Sequence, residues 1–133
     1  MSRKFWLGFA AYLIPTFPLG YVWHLVLFAA QYHALQAYRP DVIIPLGLAS
    51  MIIQAVLLSW LYPRLFREAA SSWLSSGLKF GLLVGAFAWT LSTLAVAAKH
   101  VMTSVPDYLV LETAFTVVQY VIVGPLIALA YRH

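Results

Sequence analysis

The sequence predicts an all-α fold, a four-helix transmembrane bundle running up-down-up-down. Three observations carry this. Of 133 residues, 63% are hydrophobic and only 9% charged. Four apolar stretches each reach the length of about 20 residues that a helix needs to cross a bilayer. The breaks between them hold Pro, Gly, Ser and charge, the residues that punctuate loops. A soluble domain is roughly 45–50% apolar and about 25% charged, and twelve charged side chains cannot cover a water-facing surface of this size. Composition therefore excludes a soluble enzyme, a nucleic-acid binder and a disordered tail.

The spans are expected at about residues 5–32, 42–62, 78–98 and 108–131, within one domain covering 1–133. Helices are preferred to strands because the apolar runs are long and do not alternate. The first run is too long for a signal peptide, and no small-x-small site follows it. The segment 65–74, which mixes Arg67 and Glu68 with Leu65, Phe66, Trp73 and Leu74, suits either a short interfacial helix or a solvated loop. Pro15 and Pro18 predict a kink in the first span.

Apolar surface does not drive helices together in lipid, so close backbone approach and hydrogen bonds must do so. Gly77, Gly81 and Gly85 recur every fourth residue of the third span, and the stripe continues through Ala88, Ser92 and Ala95. This smooth face is expected to pack against a helix of this chain or of another. A weak echo between residues 52–59 and 117–124 is compatible with a duplicated helical hairpin.

Ionisable residues at membrane depth are costly and are candidates for function. His24 and Glu112 qualify, each about 8–12 Å below one surface at 1.5 Å of rise per residue. An up-down bundle sets the first helix beside the fourth, so a His24–Glu112 contact is expected, neutral overall as an ion pair or as acid plus imidazole. Glu112, Thr116 and Gln119 share one face of the fourth helix, and Gln54 matches Gln119 in depth. Together these residues outline a polar seam. It has three readings: structural hydrogen bonds that fix helix register, a proton or solute site of a small transporter, or axial ligation of a macrocycle by His24, for which the Gly20-xxx-His24 spacing leaves room. No cofactor is otherwise implied. The chain has no cysteine, its other histidines are scattered, and no P-loop, nucleophile elbow or HExxH pattern occurs.

Gly20-Tyr21-Val22-Trp23 and the run into Leu61-Tyr62-Pro63 resemble the framework of small four-span bacterial inner-membrane families, catalogued as domains of unknown function. The resemblance implies a bacterial plasma membrane and carries over no site residue. The expected role is non-enzymatic: an accessory or assembly subunit, or a homo-oligomer, whose partners are the bilayer and other membrane subunits or copies of itself. The alternative is a small transporter or channel subunit that uses the His24–Glu112 seam.

Basic residues mark cytoplasmic loops. Arg3, Lys4, Arg64, Arg67, Lys79 and Arg132 fall on one side, and Arg39 and Lys99 on the other, six against two. Both termini are therefore expected in the cytoplasm. Reporter fusions at the C-terminus and in the 99–107 loop should report opposite sides, with the C-terminus inside. The same side from both would mean the span count is wrong.

Overall fold

The structure is a computed structural model and describes residues 1–66 and 72–132. Arg67 and Glu68 of the expected interfacial segment, and His133, lie outside the described residues. Helix α1 (Arg3–Val22) begins at Ser2, whose hydroxyl accepts the Phe5 N–H at 3.1 Å. It stays α-helical through Pro15 and Pro18, so the helix does not unwind at the prolines themselves. The break comes later. Trp23–Leu27 widen into a π turn in which the Phe28 N–H reaches back five residues to the Trp23 carbonyl at 3.1 Å. Phe28 then bends the chain into α2 (Ala29–Leu35).

Helix α3 (Ile44–Leu65) includes Pro63, which was expected in the following connector. A proline deprives the carbonyl four residues earlier of its helical partner. That carbonyl belongs to Ser59, and the Tyr131 hydroxyl donates to it at 2.6 Å. The orphaned acceptor is thus satisfied from the fourth span, and the helix runs on. Helix α4 (Trp73–Trp89) is capped by Ser72. It passes through a second π turn, Thr90–Leu94, into α5 (Ala95–Lys99). Helix α6 (Val105–Tyr131) starts at Ser104, whose hydroxyl accepts the Asp107 N–H at 3.3 Å. Among the described residues, four helical spans are long and apolar enough to cross a membrane: Arg3–Leu27, Ile44–Leu65, Trp73–Lys99 and Val105–Tyr131. The chain is an integral membrane protein.

Neighbouring spans run antiparallel, with α6 in the centre between α1 and α4, and α3 on the far side of α1. The proximal end, where both termini lie, is closed by the Ser59 hydroxyl donating to the Phe5 carbonyl at 2.6 Å. Tyr62, Phe66, Phe80 and Tyr131 pack their rings there. At the distal end, Thr103 ties the last connector to the end of α2 through bonds to the Leu35 and Ala34 carbonyls.

The α4–α6 contact is backbone on backbone. A Cβ on Gly77 would lie 2.8 Å from the Pro125 nitrogen and 2.9 Å from the Gly124 carbonyl oxygen. Gly81 faces the Tyr120 carbonyl and Gly124, and Gly85 faces the Tyr120 ring. The stripe does not continue through Ser92, which is exposed and bonds the Ala88 carbonyl of its own helix. The π turn inserts an extra residue and rotates the face, so Thr93 is buried there instead. Tyr32, Tyr62 and Tyr108 are enclosed by protein, while Trp6, Trp60 and Trp73 stay exposed.

Glycine space separates a packed face from an open one. Gly81→Ala should lower thermal stability in detergent by about 1–3 kcal/mol, because α4 must retreat from α6. A Cβ added at Gly47 would meet nothing within 4 Å, so Gly47→Ala should be neutral or gain up to about 1 kcal/mol from helix propensity. Equal melting shifts for the two variants would contradict the packing.

Candidate functional site

The distal end gathers one carboxylate and a set of donors. Glu112 projects from α6 and is 5% exposed. The first π turn carries His24 toward it, placing Nε2 3.0 Å from Glu112 Oε1. The bend at Phe28 folds α2 back so that the Tyr32 hydroxyl donates to the same oxygen. Trp23 Nε1 in turn donates to the Tyr32 hydroxyl at 3.1 Å. π turns of this kind recur at functional sites because the extra residue re-aims side chains.

The other histidine nitrogen fixes the proton count. His24 Nδ1 lies 3.0 Å from the Gly20 carbonyl oxygen, which only accepts, so Nδ1 carries a hydrogen. Nε2 and Oε1 then share one further proton. The pair is imidazolium with carboxylate or imidazole with carboxylic acid, and it is neutral in either form. That neutrality makes burial tolerable.

Aromatic rings enclose the pair. Tyr32 and Phe115 lie against the imidazole at 4.7 and 4.6 Å between centroids. Tyr38, from the connector after α2, stacks on Tyr32 and shares a 3.1 Å hydrogen bond with the Tyr108 hydroxyl. Desolvation of its hydroxyl raises the Tyr38 phenol above its ordinary value, and the nearby Glu112 charge adds to this. Tyr108 donates to the Ser92 carbonyl at 2.8 Å, which links the site to the second π turn.

The expected seam divides into two clusters. Thr116 donates to the Glu112 main-chain carbonyl at 2.8 Å and does not reach the carboxylate. Deeper in the bundle, Gln119 Nε2 donates at 3.2 Å to the Tyr12 hydroxyl, which donates to Gln54 Oε1. The two glutamines thus meet at one depth through a tyrosine. Gln119 is buried, but Gln54, which matches it in depth, is exposed. The reason is that α3 leans on α1 and scarcely touches α6.

Gly77, Gly81 and Gly85 take no part in either cluster; they serve the α4–α6 seam. Sequence reasoning missed Tyr12, Tyr32, Tyr38 and Tyr108. A signal existed for Tyr12, because a tyrosine at mid-span is too deep for its hydroxyl to reach headgroups and needs a partner. Both His24 ring nitrogens are engaged within the chain, Nδ1 with the Gly20 carbonyl and Nε2 with Glu112. Among the described residues, no three His, Asp or Glu side chains gather as metal ligands.

Beside His24 the surface is concave. One cleft of about 580 Å³ is bordered by Tyr32, His33 and Arg39, and another of about 660 Å³ runs between α1 and α3. No family model, curated protein or solved structure matches the chain.

Removing the carboxylate strands two donors. Glu112→Leu should destabilise the fold by about 3–5 kcal/mol, as loss of one partner from a buried pair does. Gln54→Leu breaks one part-buried bond and should cost about 0.6 kcal/mol. Thermal unfolding in one detergent gives the ranking, and a reversed order would remove Glu112 from the centre of the distal end.

Proposed function

We propose that the protein acts without catalysis, as an assembly subunit that docks other membrane helices or copies of itself, in a bacterial plasma membrane with both termini cytoplasmic. The observation that carries this is Gln54, halfway along α3. Its carbonyl accepts from Tyr12, yet the residue is exposed and its amide hydrogens meet no acceptor among the described residues. An amide group unsatisfied in hydrocarbon costs several kcal/mol, so an acceptor from outside the bundle is favoured. The same helix is the least enclosed of the four spans, with 11% of its apolar window buried against 39% for α6. α3 meets α4 near Tyr62, whose ring packs on Phe80 and whose hydroxyl bonds Ser76, while most of its remaining length is exposed.

A second reading has its own support. His24 lies at the edge of the distal clefts with 23% of its side chain exposed, so the proton it shares with Glu112 is one residue away from solvent or solute. A small proton-linked transporter is the function that this placement favours.

Mass measurement after nanodisc extraction separates the two. Assembly predicts particles heavier than one chain, reduced toward single chains in Gln54→Leu with the melting temperature nearly unchanged. Single chains in both would overturn it. Transport predicts that Glu112→Gln abolishes proton-coupled uptake in vesicles while particle mass stays the same.

A further inference from the structure

α1 and α3 form a wedge. At the proximal end they touch, with Gly8 against Ser59 and the Ser59 hydroxyl on the Phe5 carbonyl. Midway they are still linked, by Tyr12 and Gln54. Beyond that point they part: at Gly20 the α3 atom nearest to an added Cβ is the tip of Met51 at 3.3 Å, and at Gly47 nothing lies within 4 Å. The gap is the 660 Å³ cleft, walled by Phe17, Gly20, Gly47 and Met51 and floored by Phe115. Its volume falls within the roughly 300–1,000 Å³ of ligand sites.

The 580 Å³ cleft continues it. The two share His24, Leu25, Tyr38, Arg39 and Val42. Polarity changes along the joint groove. The deep half between the helices is almost wholly apolar, whereas the distal half presents His24, His33, Gln36, Tyr38 and Arg39, with His100 at the rim. Three carboxylates lie at the distal end. Glu112 is covered by Tyr32 and His24, Asp107 is exposed in the first turn of α6, and Asp41 is 87% exposed, 3.6 Å from Arg39 Nε. The guanidinium therefore keeps donors free for another anion.

We propose that this groove is a binding site for a single membrane lipid with an anionic phosphate head. One acyl chain lies between α1 and α3 on Phe115, and the phosphate sits at Arg39 and His33. The wedge narrows to the Tyr12–Gln54 bond, so it admits a chain and not a helix about 10 Å across. The occupant leaves hydrocarbon sideways and keeps its head at the interface, where the connector carrying Arg39 begins. This site does not rest on the assembly reading, which concerns Gln54 below the point of the wedge.

Native mass spectrometry of the detergent-solubilised chain, titrated with a phosphatidylglycerol and a phosphatidylcholine of equal chains, tests it. One phosphatidylglycerol should be retained at lower concentration than phosphatidylcholine. Arg39→Gln, in an exposed connector, should weaken phosphatidylglycerol retention about fivefold, the effect of one basic side chain at an anionic surface. Gly47→Phe fills open space and should abolish retention of the single lipid with the melting temperature unchanged. Particle mass in Gln54→Leu reports on assembly separately and should leave lipid retention intact. Equal retention of both lipids, or retention unaffected by both Arg39→Gln and Gly47→Phe, would mean annular lipid only and overturn the site.

Discussion

The distal half of the molecule depends on one carboxylate that cannot be left alone. Glu112 lies in an apolar bundle where an unpaired charge is expensive, and three departures from regular helix bring its partners to it. The π turn at Trp23–Leu27 aims His24, the bend at Phe28 folds Tyr32 inward, and the second π turn turns the Ser92 carbonyl toward Tyr108, whose ring helps close the site. Straight helices from Arg3 and Trp73 would present other faces. The irregular backbone is thus where the ionisable pair is, while the proximal half, whose polar contacts are made by hydroxyls such as Ser59 and Tyr131, keeps plain helices.

Below that site the fold is held by absence of side chains. Gly77, Gly81 and Gly124 let α4 and α6 meet backbone to backbone, and dispersion over that contact supplies the attraction that apolar burial cannot supply in lipid. α6 is consequently the hub, and α3, which has no such seam, is attached through hydroxyls: Ser59, Tyr131 and Tyr12. The weaker attachment accounts for both its open flank and the wedge beside α1.

Much of this was legible in the sequence. Span number, antiparallel order, the His24–Glu112 proximity and the Gly77–Gly81–Gly85 face follow from length, depth and spacing, quantities that lipid constrains tightly. What was not legible is rotation. A π turn has no composition signature, so the register change that exchanges Ser92 for Thr93 was invisible, as was the fold-back that buries Tyr32. Pro63 misled for a related reason: a proline shows which carbonyl loses its partner, not whether a distant hydroxyl replaces it, as Tyr131 does for Ser59. Gln54 was placed at the right depth, but its exposure depends on which helices α3 touches.

The central claim is that the Glu112 carboxylate, through Tyr32 and His24, holds the distal ends of the first and fourth spans together. A double-mutant cycle between Tyr32→Phe and Glu112→Gln, read by unfolding in one bilayer mimetic, tests it most directly. Contact through the shared Oε1 predicts a coupling energy of at least about 0.5 kcal/mol, as for groups in one hydrogen-bonded network. Additivity of the two substitutions within about 0.3 kcal/mol, the behaviour of independent sites, would contradict the account.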